Sequence, residues 1–196
     1  LSLSVRDHAA YLARTRDPIT KRWDAADPAW IARELWADML TAQGLNTKVI
    51  DRPDPEGDRF DFQVLTDEQM LDQTMGDLVD LGLFWTVVSN TPVLGPLPRT
   101  PVAVLGEEDF LGDGLTLVRD GSATFNDVLV RGPDNLARAR EDYGGQNLQT
   151  IVNIDNMFGV SNVARAAQQY IRYTGQVRTT LELASGTYLH PDAPLS

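Results

Sequence analysis

Short bursts of two-residue alternation constrain this chain most, and they are plainest over residues 115–132, LTLVRDGSATFNDVLVRG. Leu115 and Leu117 alternate with Thr116 and Val118, and Val128 and Val130 with Leu129 and Arg131, which is the period of a pleated strand. Between them Asp120-Gly121 predicts a two-residue hairpin turn, because such a turn needs positive φ at its centre, which Asp tolerates and Gly adopts freely. A longer connection is the alternative. The run closes on an Asn-x-Val-x-Val-x-Gly pattern, Asn126 to Gly132, and carries no obvious reactive group. It reads as architecture.

Composition narrows the function classes. A chain of 196 residues with 42% hydrophobic content can bury a real core, as one large or two small domains. Its 28 acidic against 17 basic residues leave a formal charge of -11, which repels phosphate backbones, so no direct nucleic-acid binding is expected. No apolar run approaches the roughly 20 residues of a membrane-spanning helix, and the start lacks the basic-then-apolar layout of a signal peptide. Neither membrane insertion nor Sec export is indicated. The absence of cysteine excludes disulfides, thiolate nucleophiles and cysteine zinc sites. Only His8 and His190 remain, near opposite ends, so a Ser-His-Asp triad or a multi-histidine metal site has little to draw on. The opening LSLSV reads as a strand, and with the abrupt tail HPDAPLS it suggests an excerpt of a longer protein.

Along the chain, helix and strand signals interleave. Residues 6–14 predict a short helix with Ala9, Leu12 and Ala13 inward, followed by a polar connection over 15–24. A surface helix is predicted over 27–43, with Asp27 as N-cap, Pro28 in the first turn and Gly44 at the exit. Ile31, Leu35 and Met39, with Ala32, Trp36 and Leu40, keep helical spacing, and Arg33, Glu34 and Asp38 form the polar side. Strands follow at 48–51 and 58–65, the second with Phe60, Phe62 and Val64 on one face. Thr66 and Gln69 fit a capping box before a helix with Leu71, Met75, Leu78 and Val79 inward and Gly82 at the exit. LFWTVVS predicts a buried strand, and the four prolines within 90–101 predict a loop, with an extended arm as the alternative. A short strand over 102–105, the acidic turn GEEDFLGDG, a brief helix over 135–141, a strand over 148–154, a helix from Ser161 to about 173 and a strand over 177–183 complete the reading. The fold class is α+β, with short, mostly antiparallel strands in small barrel-like sheets and three to four amphipathic helices packed on them. Three segments are expected: helix-rich α+β over 1–90, proline-rich loop and hairpin over 91–132, and α+β over 133–196 leading to a further barrel portion.

Candidate chemistry is sparse. Asp51, Asp54, Glu56, Asp58 and Asp61 could in principle offer oxygen ligands to calcium, but the spacing departs from the familiar loop and a solvated turn is the preferred reading. Glu107, Glu108 and Asp109 could supply the paired carboxylates of a glycosidase, although adjacent residues rarely face one cleft. Trp23, Trp30, Trp36 and Trp85 could line a sugar groove, with core or interface packing preferred. Trp30 and Trp36, six apart, cannot share a helix face. Neither GEEDFLGDG nor YGGQN has the Lys-Ser or Lys-Thr of a phosphate loop. No catalytic, cofactor or metal residues are assigned.

The order of the signals resembles that of minor tail proteins of long-tailed, siphovirus-type actinobacteriophages, the baseplate-hub or tail-tip family. RDHAAYLARTRDP followed by DPAWIARELWADML looks like that family's opening, and TDEQMLDQTMGDLVDLGLFWTV like its helix leading into a Gly-Leu-x-Trp-Thr strand. EDFLGDGLTLVRDGSATFNDVLVRG is similar to its passage ending in Asn-x-Val-x-Val-x-Gly, and NVARAAQQYIRYTGQVRTTLELASGTYLHPDAPLS to the helix and strand before its final barrel portion. The resemblance implies a non-catalytic virion protein made in the host cytoplasm. It also implies a homotrimer forming a ring around the tail axis, in contact with tube or distal-tail, tape-measure and fibre or tip proteins. The alternative is a cell-wall-directed glycan hydrolase or sugar-binding module, with Glu107 or Glu108 and the tryptophans meeting in a groove.

Overall fold

In the computed structural model, which describes residues 7–96, 104–112, 115–142 and 144–191, the N-terminal half is organised by one capped helix. Asp27 stands at the N-cap of α1 (Pro28–Ala42), and its Oδ1 accepts from the Ala29 amide at 2.8 Å. Its Oδ2 accepts from the Asp54 amide at 3.0 Å and from Arg59, so one carboxylate anchors the helix to the 54–59 turn. Both predicted apolar rows of α1 are buried, while Trp30, Arg33 and Thr41 are exposed and Glu34 and Asp38 half-buried, as expected of a surface helix packed by one side. Trp36 packs edge-on against Trp85 at 5.7 Å between centroids, while Trp30 projects outward. The two rings do diverge.

The expected polar connection over 15–24 contains most of a strand. β1 (Lys21–Ala26) pairs antiparallel with β3 (Phe60–Val64), with Trp23 opposite Phe62. Its alternation is illegible because an extra residue bulges out between Trp23 and Ala26, where Ala25 takes φ 47° and its amide donates to Asp61 Oδ1 at 2.8 Å. β3 itself has Phe60, Phe62 and Val64 fully buried, as predicted. Upstream, the short helix is a 3-10 helix, His8–Arg14, with Leu12 buried and Ala13 exposed. LSLSV lies outside the described residues.

The second helix, α2 (Leu71–Asp80), begins later than the predicted capping box. Met70 holds the N-cap position and its amide donates to Gln73 Oε1 at 3.1 Å, whereas the Thr66 amide donates to Thr20. Leu71, Met75 and Leu78 are buried with Thr74, and Val79 faces out.

Two expectations are corrected in the next stretch. β4 (Phe84–Val88) is not buried: Phe84, Thr86 and Val88 face outward. It forms a hairpin with β5 (Thr91–Gly95), inside the segment predicted to be a loop. Ser89 and Asn90 both take positive φ, 48° and 61°, which is the geometry a two-residue hairpin demands. The closing pair, Val88 and Thr91, exchanges hydrogen bonds in such a hairpin, so Pro92 opposite Val87 points its nitrogen away from β4. β2 (Ile50–Asp51) runs parallel to β5 on its other side and pairs only with Val93 and Leu94, so Pro92 interrupts neither ladder. Of the predicted 102–105 strand, Val104 and Leu105 lie in no strand and the rest lies outside the described residues.

A 3-10 turn, Glu107–Asp109, leads into β6 (Phe110–Leu111) and then β7 (Leu115–Asp120). β8 (Asp127–Arg131) does not pair with β7, so the hairpin predicted at Asp120-Gly121 does not form. Asp120 accepts from the Ser122 amide at 2.8 Å and the Thr124 amide donates to Gly121, which makes the connection the longer alternative. β8 is the centre of a second sheet, antiparallel to β9 (Leu136–Arg140) and parallel to β10 (Gln149–Asn153). β9 replaces the helix predicted over 135–141. Leu-Ala-Arg-Ala-Arg satisfies a strand period, and so short a segment cannot nucleate a helix against the pairing offered by β8.

The Asn-x-Val-x-Val-x-Gly pattern has a physical reason in this sheet. Asn126 is fully buried; its Nδ2 donates to the carbonyls of Glu141 (3.0 Å) and Gln146 (2.9 Å), and its Oδ1 accepts from the Leu148 amide (2.7 Å). One side chain thus ties the start of β8 to the end of β9 and the approach to β10. At the other end, a Cβ on Gly132 would lie 3.0 Å from the Met157 carbonyl, which holds that position to a residue without one.

α3 (Val160–Thr174) packs across β8 and β9. Gly159, at φ 91°, stands at its N-cap, and Ser161, the predicted cap, lies in the first turn. β11 (Arg178–Leu183) then pairs antiparallel with β7, and β12 (Tyr188–Leu189) with β6. The result is α+β, with five small sheets, none closed into a barrel among the described residues. A continuous apolar core runs from Trp23, Trp36 and Phe62 through Met157 to Val130 and Ile171. Among the described residues no helix is long and apolar enough to cross a membrane.

Candidate assembly surface

β6 pairs with β12 and β7 with β11, two short antiparallel sheets formed by the same two stretches of chain and together called the ribbon. Phe110 and Leu111 stand opposite Leu189 and Tyr188, and after an irregularity around Gly112 the pairing resumes one residue out of step, Leu115 opposite Leu183 through Asp120 opposite Arg178. Gly112, at φ 121°, lets the two backbones pass closely at that point: a Cβ there would lie 3.1 Å from the Gly186 carbonyl. Among the described residues both long edges of the ribbon lack a partner strand.

Its two faces differ. Leu115, Leu117, Leu181 and Leu183 share one face by register, with Thr116, Val118, Thr180 and Glu182 on the other. The leucine face is open: Leu117 is 67% exposed, Leu181 49% and Leu183 52%, and Tyr188 reaches 70% in the adjoining strand. Contiguous exposed apolar surface of this kind marks an interaction site in a folded protein. A two-stranded ribbon is also marginal in water by itself. The four strands carry two arginines, Arg119 and Arg178, against Asp120 and Glu182, so they are neutral in a chain of net charge -11.

A second opening lies between the ends of α2 and α3, where Val79, Leu83, Phe84, Tyr170 and Tyr173 line an apolar groove of about 490 Å³. On the β9-β8-β10 sheet, the Asp127 carboxylate is almost wholly enclosed. It accepts from both Nε and Nη2 of Arg138 and, at 2.9 Å, from Gln149 Nε2. Those hydrogen bonds, the Arg138 pair foremost, hold the Asp127 carboxyl well below the usual range. The arrangement is a cross-strand clamp in which both carboxylate oxygens accept from side chains of the neighbouring strands.

The residues considered for chemistry do not converge. Glu107 and Glu108 are exposed on their 3-10 turn, and Asp109 accepts from the Gly106 amide at 2.7 Å. Trp23 and Trp36 are buried, so neither offers a ring face to a sugar groove beside them. His8 lies on its helix with Nδ1 buried and unpartnered among the described residues, and the His190 amide donates to the Asp109 carbonyl. In the acidic turn, Asp51 pairs with Arg33 at 3.2 Å and Asp54 Oδ1 accepts from the Glu56 amide. Asp61 accepts from the Ala25 amide and from Asn162, which lower its pKa in that order. Among the described residues no three Asp, Glu or His side chains gather as a metal site. Sequence reasoning missed Asn126 as a clamp and the side-chain hydrogen bonds of buried Asp17 with Thr74 and of half-buried Asp77 with Asn156. These bonds had no signal to find, since their partners lie far apart in the chain.

No protein-family model matches the chain, and no curated protein does. Solved structures do. A tail protein from Neisseria meningitidis MC58 is similar at a TM-score of 0.51 and 15% identity, over 84% of this chain and 51% of that one. The 43 kDa tail protein of prophage MuSo2 from Shewanella oneidensis is similar at 0.51 and 15%, over 87% of this chain and 50% of that one. The chain therefore spans about half the length of each and shares that part of their fold.

Proposed function

We propose that this chain is a structural, non-catalytic segment of a phage tail protein, of the tail-tip or baseplate-hub type. The observation that carries this reading is the shared fold with two tail proteins over more than four fifths of the chain. The open leucine ribbon supports it, because a virion subunit needs surfaces that are covered only on assembly. In this reading the protein is made in the host cytoplasm and works in the virion as a homotrimeric ring around the tail axis. It joins the tail tube to distal tip components and contacts tape-measure and fibre proteins. The leucine face is the inner side of a barrel wall completed by strands from outside the ribbon.

The test is the mass of the full-length protein in solution together with its position in particles imaged by cryo-EM. A trimer on the tail axis is the expected result. A monomer that also lies off the axis in particles, or a symmetry incompatible with threefold packing, would remove the hub assignment.

A further inference from the structure

The β9-β8-β10 sheet has a second face, turned away from α3. Val128, Val130 and Ala139 are buried on the α3 side, so the alternate residues of the three strands lie on the open side. There the register sets Arg140 beside Asp127, Arg138 beside Leu129 and Leu136 beside Arg131. Arg131, Arg138 and Arg140 are all exposed, and among the described residues only Arg138 pairs with an acid, Asp127. Leu136 and Ile151, the latter opposite Leu129 on β10, are each more than half exposed. An open concavity of about 700 Å³ lies over Leu129, Arg138 and Ile151.

The charge of this face runs against that of the chain. Three arginines against one aspartate give it +2, so the other residues together carry -13 within a formal net charge of -11. The leucine ribbon, which is neutral, has no such reversal. A chain this acidic repels copies of itself, and the repulsion becomes attraction where a basic surface of one copy meets the acidic remainder of another. The arginine face does not suit its own equivalent, because that would set three guanidinium groups against three. It suits an unlike, acidic surface, and a contact between unlike surfaces of identical subunits can close into a ring. The exposed Leu136 and Ile151 fit a protein surface, which covers apolar side chains, better than a phosphate polymer, which leaves them in water.

We propose that this arginine face is a contact between neighbouring copies of the chain, in which the sheet of one copy docks head to tail on the acidic surface of the next. The inference rests on the ring reading given above and adds a surface that makes the ring. Single exposed ion pairs contribute little in water, so the covered leucine and isoleucine hold the copies together. The arginines decide which surfaces meet.

Sedimentation of the full-length protein by itself tests this, with wild type set beside the double variant Arg131→Glu, Arg140→Glu. Arg138 stays in place because it clamps Asp127. The wild type is expected to form a closed oligomer that dissociates more readily as salt rises from about 50 mM to about 500 mM, where screening shortens the reach of charge. The double variant is expected to associate at least roughly a hundredfold more weakly, with an unchanged urea midpoint, since neither arginine has an ion-pair partner in the fold. Mixed with wild type, it still offers its acidic side and should reduce the amount of closed oligomer, which an unfolded variant would not do. Should it fold poorly, Arg131→Gln with Arg140→Gln reads the same contact with a smaller loss. A folded variant that assembles as tightly as the wild type overturns the proposal and leaves the ring reading standing. A wild type that stays monomeric, or assembles only with a different protein or with DNA, also overturns it, and the position in imaged particles then decides the hub reading separately.

Discussion

β3 and β7 alternate equally well in sequence and meet opposite fates. Phe60, Phe62 and Val64 of β3 are fully buried, with β1 paired alongside and Met157 bridged to Phe62, whereas Leu117 of β7 is 67% exposed and its ribbon partner Leu181 49%. The difference lies in what covers the strand. A two-residue period states that one face must be dry, but it does not name the cover. β3 lies inside the common apolar core, whereas the leucine face of β7 stays open.

The largest effects separate those two situations. Phe62→Ala removes a large ring from a closed core and is expected to lower unfolding free energy by about 3–5 kcal/mol. Leu117→Thr with Leu181→Thr removes exposed methyl groups and is expected to change the stability of the isolated chain by less than about 0.5 kcal/mol. Urea denaturation gives the first comparison, and the mass of the full-length protein gives the second, since the double variant should assemble poorly while folding normally. A large loss of stability in the double variant would mean that the ribbon is already covered within the chain.

Asn126 tests the sheet that lies between these extremes. Asn126→Ala leaves the carbonyls of Glu141 and Gln146 and the Leu148 amide without the partners they have at 2.7–3.0 Å. Buried groups left unpaired cost about 1–3 kcal/mol each, with partial rescue by water, so a total loss near 3 kcal/mol is expected. The loss should appear together with faster exchange of the Leu148 amide. Asn126→Asp keeps the acceptor but sets a buried carboxylate oxygen against two carbonyl oxygens, so at neutral pH it should cost at least as much as Asn126→Ala.

Helix α1, strand β3 and the 148–154 strand were legible because each announces itself locally, through the Asp27-Pro28 start, the buried phenylalanines or a β-branched run. The elements misread fail for identifiable reasons. β1 is masked by a bulge, β5 by a proline whose nitrogen happens to face outward, and β9 by a sequence equally able to be helical until β8 pairs with it. The expected β7 to β8 hairpin fails differently. Its turn residues were adequate, but the partner of β7 lies some sixty residues on, and the Asn126 clamp commits β8 to another sheet. The candidate surface was legible only as alternation. That its apolar face stays open is a property of pairing and cannot be read from composition.

The smallest effect sharpens the comparison most, because it asks whether ribbon and body unfold together. Ser89 and Asn90 form the β4 to β5 turn at φ 48° and 61°, and Asn tolerates that region better than Ser. Ser89→Asn should therefore raise stability by a few tenths of a kcal/mol. Its hairpin is coupled to the core through Trp85, which packs on Trp36, so tryptophan fluorescence should report the gain as a higher urea midpoint. Gly186 sits at φ 93° in the turn before β12, with open space around its Cα, so Gly186→Ala introduces backbone strain of about 1 kcal/mol and no clash. If the ribbon opens independently of the body, that strain is relieved by local opening and the tryptophan midpoint stays where it was. A midpoint lowered by the full strain would place the ribbon inside the cooperative unit, and its open leucine face would then be held rigidly by the body before any partner arrives.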